Sequence, residues 1–422
     1  MDDETRRDLQ QYFERDEGNR FELVSAIASG QHSVAWKVKF QETPTSNARY
    51  IVLKIDRKDM EMEDDDSSQD DDDDNDDEDD DNNDDDDEDD DEDDDDKMDV
   101  DDGEEDPAPP ESQTPNEKNK LRALRWAKHV VSSVEVTNDP LRRVFPGVPP
   151  HQMDLDSWLY VEYLENGTIS KLLEKARQKR IIIPNRILWR FFLCLIRMVI
   201  AMGWPPAQPA GNDAKPVLEQ IRGPPYGGLI HNDMHEGNVM LGTMIPNDPD
   251  FEHSLTPILC LIDLGSMDKV PNTKEANIGA VHNNIFDIAL LMISLITRNE
   301  ELGQSIVPDE ASARPIRLQN DQPPILTNAT PLLPGADRAT PFGWLDPDLR
   351  IAVCACLAAR PSWKSIVGVH WPKSAAALLS AAAASSLLLL LFCRGLWMLA
   401  ADTAVAAKRE RRMALVCIFV VL

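Results

Sequence analysis

Cysteine is scarce in this chain of 422 residues, and its six copies are scattered: Cys194, Cys260, Cys354, Cys356, Cys393 and Cys417. No Cys-x-x-Cys pair is present, which speaks against a zinc site and for thiols that pack in a core within a reducing compartment. The N-terminal MDDETRRDLQQYF lacks the basic start and apolar run of a secretory signal. No repeat recurs along the chain. Most of the chain also lacks net charge, although the formal total is -33. Of the 76 acidic residues, 35 fall between Glu61 and Asp106 beside a single lysine, and the remainder of the chain sets 41 acids against 42 bases. The charge therefore describes one insert and not the folded part. A direct nucleic-acid partner is not expected.

The acidic insert, residues 60–115, offers almost nothing to bury, and its like charges repel. It reads as disordered, either as a plain solvated loop or as a contact for a basic protein partner. On either side of it the pattern is that of a folded domain. After an N-terminal extension (1–20), FELVSAI, AWKVKF and RYIVLKI are apolar runs separated by turn residues. They predict antiparallel strands over 21–59. EKNKLRALRWAKHVV, with Leu121, Leu124 and Ala127 at helical spacing, predicts a helix opening the segment 116–165, which ends in the strand SWLYVEYL. Residues 166–360 read as mainly helical: SKLLEKARQKR, the strongly apolar NRILWRFFLCLIRMVIAMGW, and NNIFDIALLMISLIT. Between the last two lie the apolar strands GGLIHNDMHEGNVML and LCLIDLGSM, with polar residues gathered at their ends.

Those polar ends carry the chemistry. His231-Asn232-Asp233-Met234-His235-Glu236-Gly237-Asn238 has the form HxDxxxxN, and Ile262-Asp263-Leu264-Gly265 follows downstream. An Asp placed at an acceptor hydroxyl can orient or accept its proton. An Asn five residues on can turn back toward a magnesium ion. An Asp closing a buried apolar strand is costly unless paired or metal-bound. Together the two segments resemble the catalytic loop and metal-binding triplet of the protein kinase-like superfamily. The loop is closest in flavour to fungal-type kinase-like proteins and to aminoglycoside and choline kinase relatives.

The resemblance implies a bilobal α+β fold, with a small antiparallel sheet in the N-lobe and a mainly helical C-lobe, and an ATP- and Mg2+-dependent transfer to a hydroxyl. It implies Asp233 and His235 at the transferring group and Asn238 and Asp263 on the metal. Lys54 in IVLKI would hold the phosphates, backed by Glu117 four residues before an apolar position of the next helix. Gly30 would sit in the glycine-rich loop, where Ala28 and Ser33 hold the other two glycine places. Glu162 and Leu164 would form the adenine-binding hinge, and Asp287 would brace the catalytic loop. Three departures accompany it. Asn232 stands where the family carries Arg, and His235 where it carries Lys. Only 24 positions separate Asp263 from Asp287, with no Ala-Pro-Glu triplet between them. The implied acceptor is a protein Ser/Thr. A small-molecule kinase and a pseudokinase scaffold are the alternatives.

The resemblance ends near Pro361. In the tail, 361–422, residues Ser374 to Cys393 run twenty positions without a charge, flanked by Trp371 and Lys373 on one side and Arg394 and Trp397 on the other. That is the length and edging of a membrane span over 374–393. The expectation is a cytoplasmic kinase domain with a candidate membrane anchor behind it. A single span would leave Lys408, Arg409, Arg411 and Arg412 on the far side, against the positive-inside tendency. A re-entrant hairpin or an aberrant end of the gene product are the other readings of this tail.

Overall fold

The computed structural model describes residues 3–29, 33–56, 113–142, 158–207, 215–248, 252–317, 324–335 and 339–358. Gly30, nearly all of the acidic insert and the apolar stretch 374–393 lie outside the described residues. The chain is mixed α+β, with a small antiparallel sheet near the N-terminus and helices later.

The sheet comprises β1 (Phe21–Ser29), β2 (Ser33–Phe40), β3 (Arg49–Asp56) and, after the insert, β4 (Trp158–Glu162), hydrogen-bonded in that order and all antiparallel. Strand periodicity assigns the two faces. Trp36, Val38, Phe40, Ile51, Leu53, Ile55, Trp158 and Tyr160 are buried in one core together with Leu9, Tyr12 and Phe13. The last three come from α1 (Asp3–Glu14), so the polar N-terminal extension is an amphipathic helix that covers the sheet. Phe13 stacks on Phe21 with ring centroids 4.9 Å apart. The other face carries Ala35, Lys54 and Leu159 in cross-strand register, with Val52 and Val161 paired beside them.

Helix α2 (Gln113–Leu124) is shorter than the periodicity of EKNKLRALRWAKHVV predicts. Beyond Leu124 the backbone becomes extended and pairs on both sides. Val217 N–H donates to the Trp126 carbonyl at 2.8 Å, and Leu261 N–H donates to the His129 carbonyl at 2.9 Å. The β-branched pair Val130-Val131 suits this conformation better than a helix, and tertiary pairing overrides the i, i+3 spacing of Ala127.

A second core is helical. It is built from α3 (Ile169–Gln178), α4 (Asn185–Gly203), α5 (Lys274–Thr297) and α7 (Pro347–Cys356), with the short α6 (Glu300–Gln304) packed on α5. Helix α5 starts nine residues before NNIFDIALLMISLIT. The Thr273 side chain caps it by accepting from Ala276 N–H, and its polar first turns had hidden the start. Among the described residues α5 alone has the length and apolarity of a membrane-crossing helix, and 67% of that stretch is buried within the protein. Four short strands lie at the junction of sheet and helices: β5 (Leu229–Ile230) pairs with β8 (Asp268–Lys269), and β6 (Val239–Leu241) with β7 (Leu259–Leu261). A small ribbon of β9 (Arg314–Ile316) and β10 (Ile325–Thr327) packs on α7.

Candidate active site

The β5–β6 connection is the HxDxxxxN segment, and β7 ends one residue before Ile262-Asp263. Pairing β6 with β7 places these two polar turns side by side, and Ile262 N–H donates to the Asn238 carbonyl at 2.9 Å. Asp263 adopts a left-handed backbone, φ 55°, as does Asn232, φ 61°. Residues other than glycine reach that region at a cost, so each needs compensation. Asn232 finds it through its side-chain amide, which donates to the Ser266 carbonyl (3.0 Å) and to Asp268 Oδ2 (2.8 Å). Asp263 finds it through Lys54.

Lys54 Nζ lies 2.7 Å from Glu117 Oε2 and 2.7 Å from Asp263 Oδ1. The sequence-predicted pair of Lys54 and Glu117 therefore forms, across the acidic insert, and Asp263 joins it from the opposite core. Glu117 Oε1 also accepts the Leu264 N–H at 3.3 Å, and Lys120 Nζ donates to the Gly265 carbonyl at 3.0 Å. Helix α2 is thus clamped to 263–265 by two side chains one turn apart. Burial alone would lower the Lys54 ammonium, but its two carboxylate neighbours outweigh burial and raise it, so it stays charged. Burial would raise Asp263, and Lys54 outweighs it, so the group titrates below the usual carboxylate range. Glu117 goes the other way, upward, because burial and the nearby Asp263 exceed the pull of Lys54. One cation thus serves two carboxylates, and the group carries an excess negative charge toward the open side.

Asp233 and Asn238 also come together. Asn238 Nδ2 donates to Asp233 Oδ2 at 2.8 Å and to the Asp233 carbonyl at 2.9 Å. This leaves Asn238 Oδ1 as an acceptor. Asp233 is about half exposed (49%), and His235, at 42%, holds Nε2 3.7 Å from Asp233 Oδ1. Gly237 makes that possible. A Cβ there would come within 2.6 Å of the His235 ring, and the Gly237 N–H instead donates to His235 Nδ1 at 3.1 Å. The other ring nitrogen is then the one turned toward Asp233. His231 is buried and works as a spacer. Its Nδ1 accepts the Asp233 N–H at 3.3 Å, its Nε2 faces the Ile262 carbonyl at 3.4 Å, and burial lowers it below its usual value, keeping it neutral.

Glu162 is held at the end of β4 by Ser132, which takes its N–H and donates to its carboxylate. Leu164 packs with Ile258 and Cys260, and Met240 and Ile262 lie against the same patch. Among the described residues no backbone hydrogen bond is made to the Leu164 N–H or carbonyl. This small buried apolar cluster joins the end of β4 to β6 and β7. Asp287 does not brace the loop. It has no hydrogen-bond partner among the described residues, and burial pushes its carboxyl up to about 7. The brace is Asn284, one turn earlier in α5: its Oδ1 accepts the His231 N–H at 3.1 Å and its amide donates to the Leu229 carbonyl at 2.7 Å. Asn284 and Lys120 had no local signal beyond lying one turn from an expected residue.

Asp263 and Asn238 thus offer hard oxygen donors on adjoining turns, with Asp233 bonded to Asn238 and the Lys54 ammonium bonded to Asp263. That donor set fits a magnesium ion held with phosphate oxygens. No protein-family model matches the chain, and no curated protein matches it.

Proposed function

We propose that this chain is an ATP- and Mg2+-dependent phosphotransferase with a bilobal kinase-like fold, acting on a hydroxyl. The observation that carries the reading is the joint placement of Lys54, Glu117 and Asp263 within 2.7 Å contacts, next to Asp233 bonded to Asn238. These residues come from four separate stretches of sequence, and a structural role alone does not require an exposed, bonded Asp–Asn pair beside them.

Lys54 has three N–H donors, and two are engaged; the third is available for a phosphate oxygen. Asp263 and Asn238 would hold magnesium, which supplies charge neutralisation at the phosphate oxygens. Asp233 accepts the acceptor hydroxyl's proton as its oxygen attacks the terminal phosphorus, and the bond to the leaving ADP oxygen breaks. His235, exposed beside Asp233, would offer a ring N–H to the transferring phosphoryl oxygens. Catalysis rests on positioning and charge stabilisation. The adenine would lie on the Leu164, Met240 and Ile262 patch, edged by the Glu162–Leu164 backbone.

Protein serine and threonine are the first acceptors to test. A small-molecule alcohol is a second reading, favoured by the ten residues between Asp263 and the start of α5 at Lys274, which leave little chain for a peptide-docking platform. The test is transfer from γ-labelled ATP to generic proteins, to the chain itself and to a panel of small alcohols. Asp233→Ala should reduce transfer by about 10²–10⁴-fold while ATP binding, read by thermal shift, is retained. Loss of both together would remove Asp233 from the role given to it.

A further inference from the structure

Away from that junction, three potential metal ligands meet inside the protein. His129 follows α2, Cys194 lies in α4, and His253 lies in the loop between β6 and β7; each is at most 2% exposed, and one donor atom from each lies within 4.8 Å of the others. The two imidazoles point Nε2 at Nε2, 3.1 Å apart. Two ring nitrogens bound to one tetrahedral zinc at about 2.0–2.1 Å would stand roughly 3.3 Å apart. The remaining nitrogen of His129, Nδ1, lies 2.8 Å from Glu219 Oε2, and Glu219 is itself fully buried. A carboxylate on the far nitrogen is the support that metal-bound histidines almost always have.

A separate observation points to the same space. Glu252 is buried, and Arg197 binds only one of its oxygens, at 2.6 Å. The other, Oε2, has no hydrogen-bond partner among the described residues and lies 3.9 Å from His253 Nε2. An unpartnered buried carboxylate oxygen is costly, and it marks a missing cation or donor. We infer that His129, His253 and Cys194 form a structural zinc site, with Glu252 Oε2, 3.9 Å from His253 Nε2 and outside the three-residue cluster, moving in as the fourth donor. Two nitrogens, a thiolate and a carboxylate suit zinc over magnesium or calcium. Cys194, Glu252 and Glu219 supply negative charge to offset zinc beside Arg197. The site ties together the extended segment after α2, helix α4 and the β6–β7 loop. Through the bond from Leu261 N–H to the His129 carbonyl, it supports the strand that leads to Asp263. This inference does not depend on the nucleotide chemistry.

The competing occupant is a proton. Burial opposes charge on His129, but Glu219 and Cys194 outweigh burial and lift it to about 10, while burial and the neighbouring His129 push His253 down to about 3. The experiment separates metal from proton. Full-length protein is purified without an affinity tag rich in histidine, and its metal content is measured by mass spectrometry. The expected result is one zinc per chain. Cobalt exchanged into the site should give tetrahedral visible bands and a thiolate charge-transfer band. Cys194→Ser should lose the charge-transfer band, and a zinc-selective chelator should lower the thermal midpoint of the wild type, restored by added zinc. If Cys194→Ser does not fold, the wild-type content, cobalt spectrum and chelator response still decide. Substoichiometric zinc with a midpoint indifferent to chelator and zinc would overturn the inference in favour of the proton. Bound metal that Cys194→Ser leaves unchanged in amount and spectrum would place it elsewhere and overturn it equally.

Discussion

Two polar clusters among the described residues are assembled from similar charges, and they differ in where they open. Lys54, Glu117 and Asp263 sit at the junction of sheet and helices, with Asp263 44% exposed and Asp233 and Asn238 alongside. His129, Glu219, Cys194 and His253 are sealed inside the helical core. In the open cluster one Lys54 donor remains beyond its two carboxylate contacts, and the Asp263 side chain is 44% exposed. The sealed cluster has no route for a substrate, so its polar atoms must be satisfied from within or by a resident ion. Similar side chains are thus left open to solvent in one place and enclosed in the other, and the surroundings decide which proposed role each can serve.

The comparison is sharpened most by breaking the open cluster. Lys54→Met leaves Glu117 facing Asp263 with no cation. It should cost on the order of 3 kcal/mol in chemical denaturation, the low end for an orphaned buried pair because Asp263 is partly solvated, and it should abolish transfer. A native-like midpoint in that variant would mean the triad bears no load.

Next in size is the brace. Asn284→Ala strands the His231 N–H and the Leu229 carbonyl and should cost about 2 kcal/mol. Its transfer rate should fall more than its ATP affinity, because Asp233 is displaced while Lys54 is not. Equal losses in both would point to a general defect.

The smallest effect tests burial without a partner. The Asp287 carboxyl is lifted from 3.8 to about 7, so the folded state keeps a proton that the unfolded chain releases. The folded protein is penalised increasingly as pH rises between those values and fully above 7. Asp287→Asn should therefore stabilise by about 1 kcal/mol at pH 8, after allowance for solvent contact, and by less at pH 5. Thermal midpoints at the two pH values check it, and destabilisation at pH 8 would show an unseen partner for Asp287.

How much of this was legible in the sequence depended on distance along the chain. Asp233, Asn238 and Asp263 stand close together, and each turn ends an apolar strand, so their spacing alone announces a site. Strands β2 and β3 alternate in burial, whereas β1 buries only Phe21 and is interrupted by two register shifts. Lys54 and Glu117 are separated by the acidic insert and share no local pattern, so only the resemblance pairs them in the sequence; in the structure they lie 2.7 Å apart. His129 and His253 are 124 residues apart and share no motif with Cys194, so a search for Cys-x-x-Cys could not find them. Helix α2 was overextended because Ala127 continued its spacing while backbone pairing with Val217 and Leu261 ended the helix. The resemblance implies Asp287 as the brace, but Asn284, one turn earlier, makes the bonds to His231 and Leu229, and no local pattern distinguishes it.

The most direct test of the central claim, that the open cluster handles nucleotide, is a calorimetric titration of the full chain with ATP. It is run with and without magnesium and repeated on Asp263→Asn. The account predicts saturable binding that magnesium strengthens in the wild type and that loses its magnesium dependence in the variant. ATP binding that ignores magnesium in the wild type, or no binding at all, would contradict it.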